Sequence, residues 1–357
     1  MTGSTPEPKL RVLLLGPYPP PHGGVEISLA SLQDFLDRQQ VCCEVINLTR
    51  HRKAEGHGVH YPASAMGVVR LVLQKKAGII HVHIGGNVSW RLLGLGLVCS
   101  LLPHRKLVLT LHSGGYPSSP AGKAARPISL RGFLFRRFDG LIGVNQELVA
   151  MFINFGVPLE KIRLILPSAL PAHVPDVALP ETIRGFFEAH SPVLLTVGGL
   201  EPEYDLPLQI EALGSVRETR RDAGLLIIGA GSHEAEIRNR IRATPYAEHI
   251  LLAGDVSHEA VLRIMSLSDI LLRTTLYDGD SIAVREALHF GLPVIATDNG
   301  MRPEGAILIP VADRRALCQA IRWILDKPAV RQTSPGADVT NLNRVIEFYK
   351  QLLSPAY

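Results

Sequence analysis

Cysteine is scarce and carries no pattern. The 357 residues hold four, with Cys42 and Cys43 adjacent, Cys99 and Cys318 isolated, and no Cys-x-x-Cys or zinc-type spacing. Reduced, buried thiols are therefore expected, not a disulfide scaffold. Long hydrophobic runs are missing too. The longest nearly uncharged apolar stretch, 92–102, has 11 residues, about half of the ~20 that span a bilayer. Residues 1–8 are polar and lack the apolar core of a secretory signal. An integral membrane protein is thereby excluded, and a cytoplasmic location is expected. Aromatic residues are few, they do not interleave with the basic ones, and no nucleic-acid motif occurs, so no nucleic-acid partner is expected. Fourteen histidines are present, but His51, His57 and His60 fall in a Gly-containing loop, and His81 and His83 alternate on an expected strand. No metal site is expected from them.

What is present is an ordinary globular composition, 46% hydrophobic and 20% charged. The length suits two domains of about 150–180 residues. The net charge of +4 conceals an asymmetry: residues 1–166 hold 19 basic and 9 acidic side chains, whereas the remainder is net acidic. A basic half points to an anionic partner. An anionic membrane surface or a phosphate-bearing acceptor fits better than nucleic acid.

Short apolar runs alternate with helical patterns along both halves. Strands are expected at Arg11–Leu15, Cys43–Leu48, Ile79–Ile84, Leu107–Leu111 and Gly140–Val144. Val25–Leu36 and Val88–Leu101 form helices between them. Prolines then recur at 167, 171, 175, 180 and 192, the mark of a linker with a short helix near Glu181–His190. The rhythm restarts with strands at Val193–Val197, Leu225–Ile228, Ile250–Leu252, Ile270–Arg273, Val294–Thr297 and Ala306–Ile309. Helices are expected at Leu206–Arg221, His233–Arg242, His258–Leu267 and Ser281–Phe290. Strands apolar nearly throughout, separated by helices, define an α/β chain with two doubly wound parallel sheets. The expected division is a domain at 1–170, a linker at 171–192, a second domain at 193–335 and a helix-bearing segment at 336–357 that can cross back to the first domain. Such sheets bind ligands at the carboxyl ends of their strands.

Two stretches carry candidate chemistry. In Gly16-Pro-Tyr-Pro-Pro-Pro-His-Gly-Gly24, a strand enters a proline-stiffened loop and Gly23 and Gly24 open a helix. Paired glycines allow close backbone approach, and helix N-terminal amides attract phosphate. A tight strand-to-helix turn is the alternative. The second stretch runs from Asp278 through Gly279, Asp280, Ser281 and Glu286 to Gly291-Leu-Pro293 and the next strand. Asp278 falls in a loop after a strand and Glu286 about two turns up the following helix. Two such carboxylates can accept hydrogen bonds from hydroxyls of one ligand, and the intervening amides can meet an anion. A solvated helix with acidic caps is the plainer alternative. Arg131-Gly-Phe-Leu-Phe-Arg-Arg-Phe138 reads either as a basic amphipathic stretch on a membrane surface or as a core-facing helix with solvated arginines.

Asp278-x7-Glu286 followed by Ala-Leu-x-x-Gly-x-Pro-Val-Ile-Ala-Thr resembles the E-x7-E region of retaining glycosyltransferases of the GT-B fold, glycosyltransferase family 4. The glycine loop at 16–24, Thr110-Leu-His112-Ser, Leu195-Thr-Val-Gly-Gly-Leu, Ile227–Gly231 and Ile250–Gly254 resemble further family motifs in the same order. The resemblance covers roughly residues 11–325. It implies two Rossmann-like domains facing across a cleft, a nucleotide-diphosphate-sugar donor held by the second, and a glycan or lipid-linked acceptor held by the first. It also implies a hexosyltransferase that retains configuration and needs no metal or other cofactor. Glu286 would bind the donor's ribose, Asp278 a hydroxyl of its sugar, and His112 the transferred sugar. Gly23 and Gly24 would lie against the diphosphate or sugar.

The chain departs from that family where an Arg and a Lys usually clamp the diphosphate: Gly199 stands for the first and Tyr204 for the second. Donor-binding residues are therefore expected at Gly199, Gly279, Asp280 and Ser281. Arg302, with Arg273 second, is expected to restore positive charge, because a guanidinium fork binds phosphate oxygens well. The lost clamp leaves a non-catalytic nucleotide- or glycan-binding relative as an alternative. A nucleotide-sugar epimerase or a phosphorylase on the same frame is another.

Overall fold

The structure, a computed structural model, describes residues 10–49, 58–166, 170–327 and 336–354. His51, His57 and Pro167 lie outside them. The chain divides into two compact units. One takes in the described parts of 1–20, 25–169 and 339–357; the other takes in 21–24 and the described parts of 170–338.

The first unit begins with β1 (Arg11–Gly16), α1 (Gly24–Arg38), β2 (Cys42–Asn47), β3 (Val59–His60), α2 (Ala65–Gln74) and β4 (Ile79–Ile84). It continues through α3 (Trp90–Ser100), β5 (Lys106–Leu111), α4 (Pro120–Lys123), α5 (Leu130–Arg136), β6 (Gly140–Gly143), α6 (Gln146–Asn154) and β7 (Ile162–Leu164). All seven strands run parallel in the order β3-β2-β1-β4-β5-β6-β7. The order reverses direction between β1 and β4.

Alternation along each strand builds a core on both faces of this sheet. Leu13, Leu15, Ile80, Val82, Leu107 and Leu109 enter one layer, and Val12, Leu14, Ile79 and Val108 the other. Burial on both sides explains why these strands are apolar nearly throughout.

The second unit comprises α7 (Glu181–Ala189), β8 (Val193–Val197), α8 (Leu206–Arg217), β9 (Gly224–Ile228), α9 (Glu234–Arg242) and β10 (Ile250–Gly254). After these come α10 (His258–Leu267), β11 (Ile270–Arg273), α11 (Ile282–His289), β12 (Val294–Thr297), β13 (Ile307–Ile309) and α12 (Arg314–Leu325). Its six parallel strands are ordered β10-β9-β8-β11-β12-β13, reversing between β8 and β11. The last helix, α13 (Thr340–Leu353), belongs to the first unit. Its Leu342, Val345, Phe348 and Tyr349 complete the layer around Val12 and Leu14.

Helix starts follow from short polar side chains. Ser64, Ser89, Ser129, Asn145, Ser257, Ser281 and Asp313 each accept a hydrogen bond from an amide of the first turn, satisfying donors that the helix cannot. Helix α8 stops at Arg217, four residues short of the expected end, because the following Glu-Thr-Arg-Arg offers nothing apolar to bury. The stretch at 131–138, read either as membrane-lying or as a core-facing helix, is mostly α5. Its Leu134 and Phe135 are buried. Arg131 donates to the Val88 carbonyl and the Tyr116 hydroxyl, and Arg136 to the carbonyls of Pro127 and Phe155. These two arginines thus hold the first unit together. Among the described residues, no helix is long and apolar enough to cross a membrane.

Candidate functional site

The second sheet reverses between β8 and β11, the position where doubly wound sheets open a crevice at the carboxyl ends of their strands. Gly198 and Gly199 follow β8, Arg273 ends β11, and Gly229 and Gly231 follow β9. The loops after β8 and β9 pack backbone against backbone. Gly198 N–H donates to Ile228 O at 3.0 Å, and Leu200 N–H to Ala230 O at 3.1 Å. A Cβ on Gly229 would lie 1.8 Å from the Gly198 carbonyl oxygen, and its φ of 135° already requires glycine. Gly229→Ala is expected to destabilise this unit by about 3 kcal/mol, since the clash is with backbone that cannot yield. A urea titration followed by tryptophan fluorescence measures the loss, and an unchanged midpoint contradicts it.

Two guanidinium groups meet one carboxylate beside these loops. Asp278 Oδ2 accepts from Arg273 Nε and from Arg302 Nη1, each at 2.8 Å, while Oδ1 accepts from Gly279 N–H at 2.8 Å. Arg302 also donates to the Thr297 carbonyl and the Thr275 hydroxyl, and its side chain is 1% exposed. Arg273 donates to the Val197 carbonyl at 3.0 Å and lies 4.6 Å from the centre of the Tyr204 ring.

Burial pushes the Asp278 carboxyl up, but the charges and hydrogen bonds of Arg273, then Arg302, outweigh it and hold the group below the usual carboxylate range. Burial also pulls the Arg302 guanidinium down, while Asp278 raises Arg273. Both arginines remain cations, since a guanidinium stays protonated in proteins. Two positive charges on one negative leave the cluster net positive.

The start of α11 holds two further acids. Asp280 places both carboxylate oxygens 2.7 and 2.8 Å from Arg285 Nε, and burial pushes its carboxyl up against that pull. Ser281 caps the helix through Val284 N–H. Glu286, 3% exposed, accepts from His258 Nε2 at 2.6 Å. Burial works against protonation of His258, yet the hydrogen bond and charge of Glu286 raise its pKa overall. Sequence reading did not single out His258. Its signal was only a histidine just after a Ser cap, and its partner lies 28 residues away.

The remaining candidates are elsewhere. His112 follows β5 in the first unit, where its Nε2 lies 3.1 Å from His83 Nδ1. On the same sheet face, His81 Nδ1 lies 2.5 Å from the Tyr349 hydroxyl and its Nε2 lies 2.7 Å from Thr110 Oγ1. Burial drives His112 down to about 4 and His81 to about 3, so both are neutral imidazoles. Gly23 directly precedes α1, and Gly24 begins it. Residues 21–24 cluster with the second unit, where His22 binds Asp255 through its amide and its ring at 3.1 Å.

Arg273, Asp278, Gly279 and Arg302 are thus brought together, with Gly199 beside Tyr204; Glu286 stands with His258. Three of these groups already have partners within the protein. Asp278 is the anchor of two arginines, and both its oxygens accept from protein donors. Arg302 is enclosed, and its Nε, Nη1 and Nη2 donate to Thr297, Asp278 and Thr275. The Gly279 amide donates to the Asp278 carboxylate. With two buried cations close by, the carboxylate is the partner that offsets their desolvation.

The site belongs to a two-unit fold of the GT-B class. Residues 22–168 match the family model described as Glycosyltransferase Family 4, and residues 183–334 match Glycosyl transferases group 1. Each model covers less than half of the chain, so the two halves are similar to these glycosyltransferase families. It is 24% identical over 147 residues to alpha-D-kanosaminyltransferase of Streptomyces kanamyceticus, covering 40% of this chain and 38% of the relative. It is 26% identical over 179 residues to a GDP-mannose-dependent mannosyltransferase of monoacylated phosphatidylinositol monomannoside from Corynebacterium glutamicum, covering 47% and 46%. The matched region therefore spans less than half the length of either relative. Sucrose-phosphate synthase from Thermosynechococcus elongatus shares the fold, with a TM-score of 0.71 at 17% identity over 97% of this chain and 100% of that one. So does HepE of Anabaena, with a TM-score of 0.64 at 16% identity over 97% and 96%.

Proposed function

We propose that the protein transfers a sugar from a nucleotide-diphosphate donor to a glycan or lipid-linked acceptor in the synthesis of a cell-surface polysaccharide or glycoconjugate. The observation that carries this reading is the net positive cluster of Arg273, Arg302 and Asp278 at the strand ends of the second unit, with the carboxylate of Glu286 on the neighbouring helix. A diphosphate carries the charge that such a cluster attracts, and its ribose carries hydroxyls that Glu286 can accept from. HepE, which shares the fold, was solved with UDP-glucose, and the Corynebacterium relative is named for GDP-mannose.

In this reading the bond from the anomeric carbon to the donor phosphate breaks as the bond to the acceptor hydroxyl forms on the same face. Configuration is then retained, and the departing phosphate takes the acceptor's proton. Fixed positive charge stabilises the developing negative charge on the diphosphate, the kind of preorganised term that dominates many enzymes. The guanidinia meet that need without a metal ion.

The acceptor side is supported by the charge of the first unit. Residues 56–138 contain eleven Lys and Arg and no Asp or Glu. Arg91, Lys123, Arg126 and Arg137 stand exposed there, as do Trp90, Ile128 and Phe133. Such a surface suits an acceptor carried on anionic lipid.

A panel of UDP- and GDP-sugars, offered with acceptor lipids in anionic or neutral vesicles, tests the proposal through nucleotide release. Acceptor-dependent release is expected, faster on anionic vesicles, and Glu286→Ala should lower kcat/KM by about 100-fold for a hydrogen bond to a charged group. A protein that titrates nucleotide but never releases product is instead the binding relative that the missing clamp at Gly199 and Tyr204 suggests.

A further inference from the structure

We propose that His258 is a positioning residue that pins one carboxylate oxygen of Glu286, leaving the other to accept from the ribose hydroxyls of a nucleoside diphosphate. This rests on the donor reading above and adds a residue and a pH response to it.

His258 is the first residue of α10, and its neighbour Ser257 caps that helix through Ala260 N–H. Glu286 stands on α11, and the bond from His258 Nε2 to its Oε1, at 2.6 Å, joins the two helices. Among the described residues no other donor reaches the Glu286 carboxylate. Its Oε2 is not among the enclosed side-chain atoms that lack a partner, such as His83 Nε2 and Asn145 Nδ2. Oε2 therefore keeps its accepting capacity and some access to solvent. A buried carboxylate with no donor would tend to take up a proton, and would then offer an O–H where the ribose needs acceptors. His258 supplies that donor and fixes which oxygen is free.

The pair also sets a charge. Protonated, His258 neutralises Glu286; deprotonated, it leaves a full negative charge near the place where a diphosphate must sit. Glu259 on its own helix also acts on His258, and as an anion it does not replace the proton that His258 loses. Because Glu286 raises the His258 pKa, that loss falls above the ordinary histidine value.

Calorimetric titration of UDP and GDP, each beside its 2′,3′-dideoxy analogue, at pH 6 and pH 8.5 is the test. The wild type should bind about tenfold more weakly at the higher pH and should discriminate against the dideoxy analogue by about tenfold or more, the range for hydrogen bonds to a charged group. His258→Ala should lose both responses. His258→Gln, which keeps an N–H donor but cannot titrate, should recover the discrimination while staying flat with pH. Circular dichroism confirms that each variant is folded. A His258→Ala protein that keeps the wild-type pH slope and discrimination overturns the assignment alone. A wild type that binds neither nucleotide overturns the donor reading with it.

Discussion

Asp278→Ala is expected to destabilise the second unit by about 3–5 kcal/mol, the usual consequence of stranding a buried charge. Here two charges are stranded at once. Arg302 is 1% exposed along its side chain and Arg273 9%. Without Asp278 they would face each other across the space the carboxylate occupied. Arg302→Met should cost less, because Asp278 keeps Arg273 as its partner and the methionine fills part of the space.

The double variant Asp278→Ala with Arg302→Met should recover part of the loss, since it removes one cation along with the anion. That non-additivity is the signature of a shared site. The two tryptophans separate the units, Trp90 lying in α3 of the first and Trp323 in α12 of the second. Urea unfolding followed by each signal should show the loss on the Trp323 side. Stability equal to wild type for Asp278→Ala would remove Asp278 as the anchor of the cluster.

Strands buried on both faces were legible almost to the residue. Ile79–Ile84, Val193–Val197, Ile270–Arg273 and Val294–Thr297 coincide with β4, β8, β11 and β12, because an apolar run with polar ends admits few alternatives. The two-residue β3 and three-residue β7 at the sheet edges are too short to carry a pattern. Helix α12 has one, with Leu317, Cys318 and Ile321 on its buried face, but Arg314, Arg315 and Arg322 on either side masked it.

The site was legible as a set of residues and not as a set of contacts. Asp278, Glu286, Arg273 and Arg302 all stand out in the sequence, yet Arg302 lies 24 positions from Asp278. Strand order brings them together, and spacing does not reveal it. The missing clamp shows the same limit. Two unrelated departures, Gly199 and Tyr204, prove to be parts of one packing unit. A Cβ on Gly198 would fall 2.1 Å from the Tyr204 ring and 2.9 Å from the Arg273 guanidinium, one on Gly199 would fall 3.2 Å from the ring, and the guanidinium lies 4.6 Å from the ring centre. The aromatic ring thus fills space beside both glycines while supporting a cation, so positive charge is kept near the loop by a residue from a different strand.

Acid should unfold the first unit while the second still stands. His81, His83 and His112 are enclosed beside one another, with ring centres 4.1 Å apart for the first pair and 5.4 Å for the second. Burial lowers all three: His81 to about 3, His112 to about 4, and His83 well below its ordinary value. The unfolded chain takes up protons on these rings near pH 6.5, whereas the folded unit does not until near pH 4. Between those values the unfolded state binds more protons, so stability falls as pH falls. Each histidine removes about 1.4 kcal/mol per pH unit once its unfolded form is fully protonated, or about 4 kcal/mol per unit for the three together. A drop of that size over one pH unit is a large fraction of the whole stability of many domains.

In the second unit the Asp278 carboxyl is held below its ordinary value, so its contribution is lost only on acidification below about pH 4. His258, raised by Glu286, adds stability on the acid side of 6.5. The Trp90 signal should therefore lose its urea midpoint steeply between pH 6 and 4.5, with Trp323 little changed over that range. Replacing one ring of the cluster by a non-titrating residue, as in His83→Gln, should reduce the slope for the first unit by about a third. Coincident transitions of the two tryptophans, flat between pH 6 and 4.5, would show that these imidazoles are not held neutral by the fold.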